Sequence, residues 1–180
     1  MELLKQSQIK EQEIIKSVQQ GKLFIYPTDT IYGIGCSAEN IESVNKIKQI
    51  KQRDSNKPLS IIAPSIEWIN KNLVVDVDLS NYFPGPYTII LKKKNPNFLS
   101  HVSDTDSLGI RIPKCDFTKI IQKSEVPFIT TSVNLAGEPF ITKIFDIPEL
   151  IRKQIDFIID VGELNGKPST LIMNGKEIRR

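Results

Sequence analysis

The segment from Tyr26 to Gly35, which reads YPTDTIYGIG, constrains this chain more than any other. It follows an apolar run, Leu23 to Ile25, that is typical of a buried strand. Pro27 has no backbone N–H, so it ends the hydrogen-bonding ladder of that strand. Hydroxyls, a carboxylate and a phenol follow within a few residues. Hydrophobic burial does not require such a cluster, so the segment predicts a site that binds a small polar molecule at a strand end.

The composition predicts a soluble globular protein with a single domain over residues 1–180. The chain is 39% apolar and 25% charged, which is typical of that class. Its apolar runs are far shorter than the ~20 residues that span a membrane, and its N-terminus lacks a signal-peptide layout. Two cysteines are too few for a disulfide scaffold and indicate a reducing, cytoplasmic compartment. A net charge of +3 permits anionic ligands or RNA without requiring them.

Short apolar runs alternate with amphipathic segments, which predicts an α+β (mixed α/β) fold around a mixed sheet. A helix is expected over 6–20 with Gly21 as its stop, and another from an Asn40 cap to about Lys51. Shorter helices are expected from Ser65 and from Asp116. Because several predicted strands have no helix between them, a regular βαβ repeat is not expected. The predicted strands cover 22–26, 59–63, 88–91, 109–113, 127–130, 156–161 and 170–173.

A basic pair, Lys51 and Arg53, stands at the end of the helix predicted from Asn40. Cations interact favourably with a helix C-terminus, so a solvated helix end is one interpretation. Phosphate binding is the other. Residues two apart do not share a face of a regular helix. Both cations can therefore face one ligand only if the helix has ended and the chain is extended there.

Further polar clusters accompany apolar strands. Residues 130–134, which read TTSVN, follow a predicted buried strand; their hydroxyls and amide suit phosphate or metal contact, and equally a capped turn. Arg111 lies inside an apolar strand, where a charge must be paired or face a ligand. A structural salt bridge and an anion clamp both fit. The run GKPST at 166–170 is not a P-loop, because Pro168 separates the lysine from the serine.

Other reactive side chains point to no catalytic group. His101 is the only histidine, which excludes a histidine dyad, and its polar surroundings predict a surface position. Cys36 and Cys115 have no base partner nearby in the sequence, so unreactive thiols are expected. Asp29 is expected to cap its own turn rather than act as a base.

In their order along the chain, these motifs resemble the YrdC-like family, the threonylcarbamoyl-AMP synthases, in its short single-domain form. The resemblance extends from Gly21 to the C-terminus and leaves no room for the further C-terminal domain of longer relatives. It rests on seven motifs: PTDTIYG (27–33), KQR (51–53), KPL (57–59), PGPYT (84–88), GIRIP (109–113), TSVN with Gly137, and PST (168–170).

The resemblance implies a nucleotidyltransferase that makes threonylcarbamoyl-adenylate and pyrophosphate from L-threonine, bicarbonate and ATP. The product would serve the threonylcarbamoyladenosine modification of tRNA, with separate partner proteins carrying out the transfer and with weak direct tRNA binding as a further expectation. The implied fold is YrdC/RibB-like: a twisted mixed sheet with surrounding helices and a central concave, basic site. Mg²⁺ held mainly by the ATP phosphates is the implied cofactor, without a metal site built from protein ligands.

The resemblance also implies roles for individual residues. The family's phosphate-contacting tetrad falls on Lys51, Arg53, Ser132 and Asn134, with Thr131 beside it, and the two cations are the catalytic candidates. Because a carbamate must meet ATP phosphates, positioning and positive charge would carry the reaction without a nucleophilic side chain. The threonine and carbamoyl end would be lined by Thr28, Thr30, Tyr32, Arg111, Ser169 and Thr170.

Two other functions are compatible with the sequence. One is a non-catalytic RNA-binding or ribosome-maturation module, since the chain is basic; ATP turnover that depends on threonine would distinguish the enzyme from it. The other is a carbamoyl-adenylating domain of the hydrogenase-maturation type, which occurs in longer chains with zinc-binding cysteines. The chain also departs from the family pattern, with Val133 in the TSVN segment, Ala136 before Gly137, and Cys115 near a position where many relatives carry histidine.

Overall fold

The computed structural model describes residues 1–52, 57–135 and 137–178. The helices in these ranges are α1 (Glu11–Gln19), α2 (Ile41–Ile50), α3 (Ile66–Asn72), α4 (Asp116–Ser124) and α5 (Glu149–Arg152). The strands are β1 (Glu2–Lys5), β2 (Phe24–Tyr26), β3 (Gly33–Gly35), β4 (Ser60–Ile62), β5 (Leu73–Val74), β6 (Tyr87–Lys93), β7 (Ser107–Arg111), β8 (Phe128–Ser132), β9 (Phe157–Asp160), β10 (Thr170–Met173) and β11 (Lys176–Ile178).

The strands form one mixed, 11-stranded sheet in the order β1-β9-β2-β3-β8-β4-β7-β6-β10-β11, with β5 paired to β6. Four neighbouring pairs are parallel (β1–β9, β2–β9, β4–β7 and β6–β10), and the other pairs are antiparallel. The antiparallel pairs β2–β3, β3–β8 and β4–β8 place the end of the polar segment that follows β2 beside β8. This topology confirms the predicted α+β class.

The helix boundaries follow local capping. The Asn40 side chain accepts a hydrogen bond from the Ser43 backbone N–H at 3.0 Å and so opens α2 as predicted. Gly21 follows α1 with φ of +76°, a conformation that favours glycine. The Ser65 side chain caps α3 in the same way. Two expectations were wrong in detail: α4 has Cys115, not Asp116, at its cap, and residues 6–8 form a 3₁₀ turn ahead of α1.

Two hydrophobic clusters lie on opposite faces of the sheet, because neighbouring residues of one strand alternate between them. Helices α2 and α3 contribute to the larger cluster on one face. On the other face, α1 and α4 cover a smaller cluster built around Phe24, Tyr26 and Phe128. Among the described residues, this smaller cluster includes none from β6 or β10, and the same face of these two strands lines a cavity.

Among the described residues, no helix has the length and apolar character needed to cross a membrane. The expectation of one domain over residues 1–180 stays a prediction.

Candidate functional site

A cavity of about 500 Å³ opens on the second face, at β6 and β10. Its floor is formed by side chains on one face of β6, because successive residues of a strand point to opposite faces of the sheet. Thr88 and Ile90 of β6 line the cavity, whereas Ile89 and Leu91 pack into the larger hydrophobic cluster on the opposite face. Serine and threonine side chains dominate the polar lining, and Arg111 adds a cation. The arrangement suits a small polar ligand with anionic groups.

Three of the four residues to which the resemblance assigns phosphate contact, namely Lys51, Ser132 and Asn134, come together beside this cavity. Helix α2 ends at Ile50, and Gln52 has φ of +47°, so the helix has ended as the spacing of the cations requires. The Lys51 ammonium donates to the Ser132 carbonyl oxygen at 2.6 Å and to Asn134 Oδ1. The Ser132 hydroxyl also donates to Asn134 Oδ1, at 2.6 Å. Ser132 and its neighbour Thr131 line the cavity.

Lys51 is only 1% exposed. The interpretation of this lysine as a solvated helix end is therefore wrong, because its ammonium is held inside the protein by polar groups of the segment after β8. The other predicted cation, Arg53, lies outside the described residues, as does Ala136.

Arg111 is paired and also lines the cavity. The structural salt bridge is therefore confirmed, and anion binding by this residue stays a prediction. It is 5% exposed, and its Nη2 donates to Asp29 and, at 2.9 Å, to the Thr30 hydroxyl. The second oxygen of Asp29 accepts from the Lys114 backbone N–H at 2.9 Å. The expectation that Asp29 caps its own turn was therefore wrong: its carboxylate bonds a strand that lies 82 residues further along the chain.

The Nε of Arg111 is buried and has no hydrogen-bond partner among the residues that the structure describes. A buried donor without an acceptor carries a desolvation penalty of about 1–3 kcal/mol. A ligand oxygen in the cavity would remove that penalty, so this atom marks where an anionic group is expected.

The threonine-rich segment divides into a cavity wall and its support. Thr28 and Tyr32 line the cavity, whereas Thr30 lies behind them. The Thr30 hydroxyl bonds Thr28 at 2.9 Å and accepts from Arg111. The Tyr32 phenol donates to the Gly162 carbonyl oxygen at 2.7 Å. Burial raises the pKa of Tyr32, so the phenol is favoured as a donor beyond the pH at which an ordinary tyrosine ionises.

The segment before β10 differs from expectation in one residue. Ser169 lines the cavity, and its hydroxyl lies 2.8 Å from that of Thr88. Thr170 instead enters β10, where its backbone N–H donates to the Pro86 carbonyl oxygen. Thr170 and Thr30 are therefore not among the residues that line the cavity, and a contact of either with a ligand stays a prediction.

The sequence-based prediction missed several lining residues. Thr88 stands in the PGPYT motif, and Ser60 follows KPL, so proximity to a motif was an available signal for both. Thr105 and Ser107 also line the cavity. They belong to a polar stretch with no distinguishing pattern, and only the fold shows their position.

The remaining reactive side chains are occupied or shielded. His101 is half-buried rather than at the surface, with its Nε2 2.7 Å from the Ala38 carbonyl oxygen. Burial raises the pKa of Cys36 and, despite a bond from Thr118, that of Cys115. A raised pKa favours the protonated thiol, which is the less nucleophilic form, and this agrees with the expectation for both cysteines.

Known proteins resemble this chain in both sequence and structure. A putative threonylcarbamoyl-AMP synthase from Methanocaldococcus jannaschii is 42% identical over 163 residues, which cover 87% of this chain and 76% of the relative. Pyrococcus abyssi Sua5 complexed with L-threonine superposes with a TM-score of 0.79 at 29% identity, over 95% of this chain and 53% of that one. Escherichia coli YciO superposes with a TM-score of 0.79 at 25% identity, over 95% and 88%.

The chain thus spans about half the length of the P. abyssi protein and most of the length of the other two. The family model described as Sua5_yciO_yrdC, Telomere recombination, matches residues 16–180. The order of the sequence motifs, the mixed sheet and these similarities agree, and the chain belongs to the Sua5/YciO/YrdC family.

Proposed function

We propose that this chain is an L-threonylcarbamoyladenylate synthase, which makes threonylcarbamoyl-adenylate and pyrophosphate from L-threonine, bicarbonate and ATP. The proposal rests on the hydroxyl-lined cavity, which has Lys51 and its partners Ser132 and Asn134 at one side. Arg111 belongs to the cavity lining, and its Nε has no partner among the described residues. Proteins named threonylcarbamoyl-AMP synthase are similar over most of this chain. They favour a catalytic role over a non-catalytic RNA-binding module.

The reaction needs two anions to meet. Threonine and bicarbonate condense to a carbamate with loss of water; a carbamate oxygen then bonds the α-phosphorus of ATP, and pyrophosphate leaves with the electrons of the broken P–O bond. Preorganised cations and hydrogen-bond donors lower the barrier to such a step by stabilising charge in a site shielded from water. Arg111 would bind an anionic substrate group. Lys51, held by Ser132 and Asn134, would stabilise the negative charge of the phosphates.

ATP is expected to arrive with Mg²⁺ held mainly by its phosphates, since this ion prefers phosphate and water oxygens. Among the described residues, no group of three or more histidine, cysteine, aspartate or glutamate side chains is placed to hold a metal ion. The adenylate would pass to separate proteins that modify tRNA in the cytoplasm, and weak binding of tRNA itself belongs to the same proposal.

Pyrophosphate release from ATP tests the proposed function. We expect bicarbonate-dependent release that threonine stimulates strongly and serine weakly, because one substrate methyl group contributes only ~1–3 kcal/mol to discrimination. The adenylate itself should be detectable by mass spectrometry. Equal release with and without an amino acid would contradict the proposal, and retention of tRNA without any ATP turnover would favour the RNA-binding module.

A further inference from the structure

A buried lysine ends strand β6 on the face opposite the cavity. Lys93 is only 2% exposed. Alternation along the strand explains its direction, because Ile89 and Leu91 of the same strand pack into the larger hydrophobic cluster. A lysine is almost never buried to this degree unless its charge is paired or fully hydrogen-bonded. The position therefore requires a structural reason.

The ammonium of Lys93 is saturated by backbone carbonyl oxygens. It donates to those of Pro96 at 3.0 Å, Phe98 at 3.2 Å and Ser103 at 2.8 Å. An ammonium has three donors, so this set uses all of them. Hydrogen bonds from a charged donor are stronger than neutral ones. The Lys93 side chain thus holds three backbone carbonyl groups of the segment 94–106.

Two nearby carboxylates stabilise the charged form of Lys93. Burial lowers its pKa, and the carboxylates of Asp104 and Asp106 act in the opposite direction. Asp106 is also tied to the same residue through its backbone, since the Lys93 N–H donates to the Asp106 carbonyl oxygen at 2.7 Å. This contact joins the end of β6 to the residue before β7, where the segment 94–106 ends.

The segment that Lys93 holds, together with the first residue of β7, places two side chains at the cavity. Thr105 and Ser107 line it. The Ser103 hydroxyl lies 3.0 Å from that of Thr105 and donates to the Ser107 carbonyl oxygen at 2.7 Å. A continuous set of contacts therefore leads from the ammonium, through Ser103, to this wall of the cavity.

We propose that Lys93 is a positioning residue for the ligand cavity: it fixes the segment 94–106 and so places Thr105 and Ser107 at the cavity wall. Lys93 makes no contact with the cavity itself. It acts through the backbone carbonyl groups that it holds. Its effect on turnover rests on the proposed function, whereas its effect on the segment does not.

Hydrogen exchange of the ligand-free protein tests the structural half of this inference. Lys93→Met keeps the length and apolar character of the side chain but removes every donor. Lys94→Met is the matched control, because Lys94 is exposed and donates one bond, to the Asn70 carbonyl oxygen. We expect the amides of residues 98–106 to exchange at least about tenfold faster in Lys93→Met and at the wild-type rate in the control.

Turnover tests the functional half. We expect kcat/KM for pyrophosphate release to fall about 10- to 100-fold in Lys93→Met, because small displacements of a positioning wall have effects of that size. Thr105→Val provides the second arm of a double-mutant cycle. If Lys93 acts through this wall, Thr105→Val should add little to a protein that already carries Lys93→Met.

Several outcomes would overturn the inference. One is unchanged exchange of residues 98–106 in a folded Lys93→Met protein. Another is full additivity of the two substitutions. Should Lys93→Met fail to fold, Lys93→Gln keeps an amide donor and takes its place in both measurements. Absence of threonine-dependent release in the wild-type protein would contradict the proposed function instead, and the exchange comparison would still decide the role of Lys93.

Discussion

At the scale of single residues, burial decides what the cations of this chain can do. Lys51 and Arg111 both occur in stretches where a solvated or purely structural charge is a reasonable expectation. The structure instead buries both of them and gives each a set of polar partners. A buried charge interacts far more strongly with its neighbours than a solvated one does. Replacing either cation should therefore have larger effects than replacing an exposed one.

Lys51→Ala should lower both turnover and stability. We expect turnover to fall by about two to three orders of magnitude, as for the loss of one preorganised charge-stabilising donor. The free energy of unfolding should fall by about 1–3 kcal/mol, because Asn134 Oδ1 and the Ser132 carbonyl oxygen each lose the hydrogen bond from the ammonium. Pyrophosphate-release assays and denaturant titrations measure the two effects.

The control for this prediction is Lys46→Ala on the same helix, where the side chain is exposed. Exposed cations contribute about 0–1 kcal/mol, so both measurements should stay close to wild type. Lys51→Ala with unchanged stability would show that the ammonium is not buried in solution, and unchanged turnover would remove it from the reaction.

Asp29→Asn should disturb the site through Arg111. The substitution keeps the shape of the side chain and removes the charge that pairs with the guanidinium. Breaking a buried ion pair typically destabilises a protein by about 3–5 kcal/mol. We also expect a lower kcat/KM, because the guanidinium would lose the bond that orients it.

Glu11→Gln is the matched comparison for Asp29→Asn, since it breaks the exposed pair between Glu11 and Lys123. A surface pair contributes little, so its denaturation midpoint should hardly move. Equal effects of the two substitutions would contradict the buried character of the Asp29–Arg111 pair.

At the scale of elements, the segment between β9 and β10 depends on one close approach. A Cβ at Gly166 would collide with the backbone of Thr30. Gly166 thus lets the segment lie directly on the polar stretch after β2 and brings Pro168 and Ser169 to the cavity. The glycine of the GKPST run is thus explained by close packing against Thr30, and phosphate binding as in a P-loop is not needed to explain it.

Gly166→Ala should therefore raise KM and lower stability, because the segment must move away from Thr30. Gly162→Ala serves as the control: a Cβ there meets nothing within 4 Å, and only its φ of +86° opposes the change. That strain contributes about 1–2 kcal/mol. Substrate titrations on both variants compare the two effects, and an unchanged KM in Gly166→Ala would refute the packing argument.

At the scale of the whole molecule, the buried phenols predict how stability responds to alkali. Burial raises the pKa of Tyr26 well above its usual value. The unfolded chain therefore loses this proton at lower pH than the folded one does. Stability contributed by the neutral phenol is complete below about pH 10, the ordinary tyrosine pKa, and is lost as pH rises beyond it.

Denaturant titrations between pH 8 and pH 11 measure this dependence. Tyr26→Phe should flatten the alkaline decline relative to wild type, although it loses the bond to Thr130 and starts from a lower stability. Parallel declines in the two proteins would assign the pH dependence to other groups.

Local sequence signals predicted the elements that local physics controls. The Asn40 cap, the Gly21 stop and the apolar strands before and after the polar motifs all occur where capping and periodicity place them. Strand β3 was missed because two of its three residues are glycine, which lowers strand propensity. Strand β1 was missed because it is an exposed edge strand, where no buried face creates an alternating pattern.

The sequence by itself determined the class of fold, the family and the set of polar residues from which a site could be built, because these depend on patterns along the chain. Only the tertiary structure decided that Lys51 is buried, that Asp29 pairs with Arg111, and that Thr105 and Ser107 reach the cavity. These contacts join residues about 80 positions apart or depend on a buried lysine on the far side of the sheet. Packing of the whole chain selects them, and no local preference encodes them.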